Sequence, residues 1–189
     1  NNTQTHSYNG LYDVVNKAHT GMGKRYIKMM LVSPHTDTKI LNKIYNIVDI
    51  LLQNDYYCHI EKYLKTINDI ERLNRKLSIN MLHPLHIVDL IASYKTILNM
   101  FSKLKENKKI AKYIKTSSLR NVLKKLNNTL INNIDLDKAK LYTLTEIKEN
   151  IFNTGIYPSL DTLQSQIGMG HDAMELLREK LNNMIDDKN

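Results

Sequence analysis

Leu160, Leu163, Ile167, Gly170, Met174, Leu177, Leu181 and Met184 follow one another at alternating spacings of three and four residues. Such a seam, sustained over more than three heptads, dictates a single long helix whose narrow apolar stripe suits one partner helix. At about 1.5 Å per residue, residues 159–186 reach roughly 40 Å, which overshoots a small core. The stretch ends in Asp186-Asp187-Lys188-Asn189 with no returning helix, so the outer seam is expected to lack its mate within this chain.

The rest of the chain reads as helix too, because apolar residues recur at helical spacing and short alternating Val/Ile/Thr runs are scarce. Thr20 is placed to cap a helix through Met22, Tyr26, Ile27, Met30 and Leu31, which Pro34 stops after Ser33. Thr36 and Asp37 open a second helix carrying Ile40, Leu41, Ile44, Ile47, Val48 and Leu51. A shorter helix is predicted over 56–64, and Asp69 caps another that holds Ile70, Leu73 and Leu77 and breaks at 78–80. Pro84 suits the first turn of a long helix, where its missing N–H has no intrahelical partner, with Asn107 at the exit. Two more are expected over 108–115 and 118–131, the second with Leu119, Val122, Leu123, Leu126 and Leu130 inward. Asp135 and Asp137 precede a helix-like segment to about Phe152, Asn153-Thr154-Gly155 breaks it, and Tyr157-Pro158-Ser159 opens the long helix. The predicted fold class is all-α: an irregular multi-helix core with a long C-terminal helix. Residues 1–10 are expected to be a disordered or linker-like lead-in, 11–158 the core, and 159–189 a projecting helix of the same domain.

Several functions are excluded on chemistry. One Cys rules out an internal disulfide framework and a multi-thiolate metal centre, which points to a reducing, intracellular setting. No apolar run approaches the ~20 residues that cross a bilayer, so a membrane partner is not expected. Gly21-Met22-Gly23-Lys24 falls short of a phosphate loop, since position 18 is Ala, position 25 is Arg and no strand precedes. It reads instead as a helix start whose glycines permit close approach. His83 and His86 stand three apart without a third ligand, Cys58 reads as a small buried apolar residue, and no nucleophile–base pair or carboxylate cluster emerges. Asp69 with Arg72, Glu71 with Arg75, and Glu175 with Arg178 read as local helix-surface pairs. No catalytic, metal or cofactor residue is therefore assigned, and the chain alone is not expected to be an enzyme.

Charge leaves one surface open. Lys+Arg exceeds Asp+Glu by 27 to 19, a formal +8 that draws polyanions. Lys105, Lys108, Lys109 and Lys112 would share a face if they lay on one helix, a candidate weak nucleic-acid contact with little aromatic support beyond Tyr113.

The run Leu11-Tyr-Asp-Val-Val-Asn-Lys-Ala-His-Thr20-Gly-Met-Gly-Lys-Arg25, continuing to Leu31 and Pro34, resembles the segment that opens the core, or lever, domain of the MutS family of DNA mismatch-repair proteins. The family form is S-L-x-x-x-L-(D/N)-x-T-x-T-x-M-G-x-R-L-L-x-x-W-L-x-x-P, and Asn16, Thr20, Met22, Gly23, Arg25, Leu31 and Pro34 match it. Ile40, Ile44, Val48 and Leu51 then resemble a helix of the I-x-x-R-x-x-x-V-x-x-L type, with Lys43 in place of Arg and with Val48 and Leu51 each one position late. Asp69-Ile70-Glu71-Arg72-Leu73 fits D-L-E-R-L, and Pro84 to Leu90 fits P-x-x-x-x-x-L. Gly155, Leu160, Asp161 and Leu163 resemble the G-x-x-x-x-L-D-x-L that begins the ascending lever helix. Ala18, Tyr26 and Met30 depart from the Thr, Leu and Trp of the family pattern, which implies a divergent branch. The Lys-, Asn- and Ile-rich composition of an AT-rich genome suits the branch carried by large DNA viruses.

The resemblance implies a structural role for Thr20, Met22, Gly23, Arg25, Pro34, Asp69, Glu71, Arg72, Leu160 and Asp161. It also implies a parent that is a DNA-dependent ATPase, dimeric, gripping DNA through a clamp inserted between two lever helices and binding ATP and Mg in a C-terminal P-loop domain. None of those segments is recognisable here. The expected role is mechanical, a rigid connection between clamp and ATPase, with the helix of residues 20–34 packed at the foot of the long helix. The alternative is a free-standing basic helical adaptor or non-specific nucleic-acid-binding protein.

Overall fold

In a computed structural model, which describes residues 10–113 and 117–186, the chain is all-α. Its elements are α1 (Leu11–Val15), α2 (Gly21–Val32), α3 (Thr38–Leu52), a 3-10 turn (Gln53–Asp55), α4 (Tyr56–Leu64), α5 (Ile70–Ser78), α6 (Pro84–Glu106), α7 (Lys108–Tyr113), α8 (Ser117–Asn133), α9 (Leu136–Ala139) and α10 (Pro158–Asp186). The sole extended pairing among the described residues is an isolated antiparallel bridge between Ile134 and Phe152.

Helix ends follow local chemistry. Thr20 Oγ1 accepts from Gly23 N at 3.0 Å, Asp37 Oδ1 from Lys39 N at 2.8 Å, and Asp69 Oδ1 from Arg72 N at 3.2 Å, so each cap satisfies an N–H with no partner inside its helix. α5 ends in a Schellman turn: Asn80 takes a left-handed φ of 55°, while Met81 N and Asn80 N return to Lys76 O and Leu77 O. Asn107 is extended and ends α6. Its Oδ1 then accepts from Lys109 N at 3.0 Å and starts α7.

α6 is the keel. Its N-terminal half supplies Leu90 and Tyr94 to a cluster with Leu73 and Leu82, backed by Leu123 and Leu130 of α8. Its C-terminal half supplies Leu104 to a second cluster with Ile50 of α3 and Ile110 of α7. α8 runs back along α6: Arg120 meets Ser102, whereas Leu130, ten residues later, reaches the Leu90 cluster.

Three expectations are corrected. The stretch after Asp135 is helical only over Leu136–Ala139. Residues 140–157 instead form turns and loop, because their polar groups bind one another and the α6 N-terminus, as in Tyr142 hydroxyl to Glu149 at 2.7 Å and Leu144 N to His83 Nδ1 at 3.0 Å. Residues 11–15, within the expected helical core, form α1 without a side-chain cap. On α8, Leu123 and Leu130 turn inward, but Leu119, Val122 and Leu126 stay exposed, since α6 covers only one narrow face. Cys58 is half-buried rather than buried. The expected lead-in at 1–10 lies, apart from Gly10, outside the described residues, as does the expected end of α7 beyond 113.

Candidate functional site: a clasped corner and the foot of a rod

The first motif segment and the Asp69-Ile70-Glu71-Arg72-Leu73 segment meet in space. Arg25, one turn into α2, donates from Nη1 to Asp69 Oδ2 at 2.6 Å, and from Nη2 to Asp69 Oδ1 at 2.8 Å and Glu71 Oε2 at 2.6 Å. The planar guanidinium is matched by a two-pronged carboxylate, which gives direction as well as charge. Asp69 thus caps α5 and holds α2 at once. Arg25 lowers the pKa of the Asp69 carboxyl below its ordinary value, against the opposing effect of burial, and the Arg25 pKa rises in return. The expected local pairs of Asp69 with Arg72 and Glu71 with Arg75 give way to this contact, reached across 44 and 46 residues. Arg72 contributes its backbone N–H instead.

Glycine makes the corner tight. A Cβ on Gly21 would lie 2.5 Å from Asp69 Oδ2, and one on Gly23 would meet Thr20 Oγ1 at 2.9 Å and the Ala18 methyl group at 3.1 Å. Thr20 is 8% exposed. Met22 faces an apolar groove of about 480 Å³ shared with Ile67, Tyr94 and Phe101. Pro34 lies exposed just past the end of α2 and holds no contact in the corner.

The second arrangement is the foot of α10. Asp161 Oδ2 accepts from Gly155 N at 2.8 Å, and Asp161 Oδ1 from Asn150 Nδ2 at 3.0 Å. Gly155 holds a left-handed φ of 88°, open to glycine at no steric cost, and this aims its N–H at the carboxylate. Gln164 Oε1 accepts from Asn150 N at 2.8 Å, and Asn153 Nδ2 donates to Asn132 O at 2.8 Å and Ile131 O at 3.2 Å, tying the foot to the end of α8. The rings of Phe152 and Tyr157 meet edge to face at 4.7 Å. Of these residues the motif resemblance singled out Gly155 and Asp161, with Leu160 beside them. Asn153 was read only as part of a helix break, and Asn150 and Gln164 were missed because an isolated amide carries no spacing signal.

From the foot to its tip α10 is 29 residues in all, about 44 Å. Every described side chain over 169–185 is exposed. Along the seam, Leu160 is 37% exposed, Leu163 53%, Leu177 58% and Met184 63%, so the apolar stripe is uncovered from base to tip. α2, expected beneath this foot, docks instead at the α4–α5 corner through Gly21 and Asp69. Asn68 N bonds Ser93 Oγ there at 3.1 Å, halfway along α6, because the Arg25 clasp fixes it.

The lysine run does not form one face. Asn107 breaks the helix between Lys105 on α6 and Lys108 and Lys109 on α7, all three exposed, and the side chain of Lys112 lies outside the described residues. Nearby, Lys103 is spent on Glu106 at 2.8 Å. Among the described residues no group of three His, Cys, Asp or Glu stands close enough to hold a metal, and no helix is long and apolar enough to cross a membrane.

A helical core clasped at one corner by Arg25, with a braced helix carrying a bare apolar seam, defines an all-α domain of the core-and-projecting-helix class. Comparison with known proteins specifies it. The family model described as MutS domain III matches residues 1–187, and the chain belongs to the MutS family through that domain. It is 29% identical to a mutS homolog of Acanthamoeba polyphaga mimivirus over 184 residues, 94% of this chain and 16% of that protein. It is 31% identical to the DNA mismatch repair protein MutS of Persephonella marina over 178 residues, 90% of this chain and 19% of that one. To MutS of Flavobacterium johnsoniae it is 28% identical over 182 residues, 90% of this chain and 20% of that one. The chain spans a fifth or less of the length of these relatives.

Proposed function

We propose that this chain is the lever and core module of a MutS-type DNA mismatch-repair ATPase, coupling a DNA clamp to an ATPase domain that both lie outside it. In this reading the parent binds ATP and Mg at its ATPase end, works as a dimer and meets DNA through the clamp, while residues 11–158 act as the core and 159–189 as the lever. The observation that carries the reading is α10, one uninterrupted helix with a bare apolar seam rising from a foot cross-braced by Asp161, Asn150 and Asn153. Coupling at a distance requires an element whose state both ends bias, and a stiff helix anchored at one end meets that need. The clasp of Arg25 on Asp69 and Glu71 serves as the fixed corner against which such a rod can work. The adaptor reading draws no support from the lysine run, which Asn107 splits.

The test is made in the full-length parent. Replacing residues 168–171 by a flexible Gly-Ser segment should leave basal ATP hydrolysis and DNA binding near wild type and abolish the stimulation of hydrolysis by DNA. Stimulation that survives the replacement rules out the mechanical role.

A further inference from the structure

Where α6 and α8 lie side by side they enclose an open pocket of about 430 Å³, within the size range of small-ligand clefts. Lys105 of α6 and Arg120 and Lys124 of α8 line it, with Ser102, Asn121 and Asn128 between them and no carboxylate in the wall. α8 carries no Asp or Glu along its whole length. Among the described residues Arg25, Lys103 and Lys138 each find a carboxylate, whereas Lys105, Arg120 and Lys124 form no ion pair. Three uncompensated cations around one pocket repel one another, and an anion placed between them removes that repulsion.

The pocket is also organised. Ser102 donates its hydroxyl proton to Leu98 O at 3.0 Å, which leaves its lone pairs to accept from Arg120 Nη2 at 2.9 Å. The guanidinium is thereby pinned to the wall by one N–H with its other donors free for a ligand. A fixed fork of this kind matches a phosphate, to which lysines add point charge. We propose that the α6–α8 pocket is a phosphate-binding site, with Arg120 as the fork and Lys105 and Lys124 as flanking charges. It regroups Lys105 away from Lys108 and Lys109, and it does not rest on the lever reading.

The full chain is titrated with inorganic phosphate, with pyrophosphate and with a short DNA duplex at fixed ionic strength. Arg120→Lys keeps the charge but removes the fork, Lys124→Gln removes a flanking charge, and Lys108→Gln makes the same charge change outside the pocket. Loss of charged hydrogen bonds predicts roughly tenfold weaker binding for Arg120→Lys, several-fold for Lys124→Gln and under about twofold for Lys108→Gln. Duplex binding with this ranking and no response to inorganic phosphate identifies a backbone phosphate as the ligand; the same ranking with phosphate or pyrophosphate alone identifies a free one. Equal effects of Lys108→Gln and Lys124→Gln, an unaffected Arg120→Lys protein, equal displacement by polyglutamate, or no binding of any probe overturns the proposal. Thermal melts establish folding, and exposed Lys124 carries the test if the Arg120 variant does not fold.

Discussion

α6 and α10 are the two longest helices, 23 and 29 residues, and their surroundings differ in nearly every respect. α6 buries Leu90, Ile91, Tyr94, Ile97 and Leu104 against neighbours at both ends, whereas α10 is exposed apart from half-buried Asp161, Gln164 and Gly168. A helix interior to a core owes its stability to packing, and a bare helix owes it to intrinsic propensity and to its anchored end. The same substitution should therefore have opposite weight in the two helices.

The comparison is broken most severely at Leu90, which is 1% exposed. Leu90→Ala should cost about 2–5 kcal/mol in urea unfolding, while Leu177→Ala on α10 should move the midpoint by no more than about 0.5 kcal/mol. Equal losses at the two sites would show that α10 is covered by something in solution. Next comes Gly21→Ala, whose methyl group must displace an Asp69 carboxylate held by Arg25; about 1–3 kcal/mol of destabilisation is expected in the same experiment. The contrasting change is Gly170→Ala. Nothing lies within 4 Å of the new Cβ, so it should strengthen α10 by about 1 kcal/mol, read as slower amide exchange near the substitution with the core melt unchanged.

The smallest effect is that of pH on the clasp. Because the pKa of Asp69 is lower in the folded protein than its ordinary value, the clasp stabilises the fold above about pH 4 and this contribution is lost as the pH falls through the folded value. The groups are partly exposed, so solvent screening holds the gain to about 1 kcal/mol or less. Wild type should lose slightly more stability than Asp69→Asn between pH 7 and pH 3, and parallel curves would show that the clasp contributes nothing.

What could be read in the sequence was what depends on near neighbours. Thr20, Asp37, Asp69 and Pro84 fixed helix starts because capping is settled within three residues, and the seam from Leu160 to Met184 announced α10 because its period is long. The clasp was half visible: the motif resemblance marked Arg25, Asp69 and Glu71 separately, but their meeting depends on how α2 and α5 cross, which no local rule states. Local pairing rules favoured Arg72 and Arg75 as partners, and these nearer guanidiniums gave way to that of Arg25, which α2 carries face-on to the Asp69 carboxylate. The stretch over 140–152, expected to be helix-like, is loop for a related reason. Leu141, Leu144 and Ile147 keep helical spacing, yet all three are exposed, and the segment spends its polar groups on His83, Glu149 and the α8 end instead.

The contacts that brace Asp161 span only 6 and 11 residues of chain. Closing such short loops costs little entropy, whereas the Arg25 clasp must bring together segments more than forty residues apart. On closure entropy alone, refolding should join the base of α10 before the α2–α5 corner, so that the footing of the strut precedes the far corner of the body.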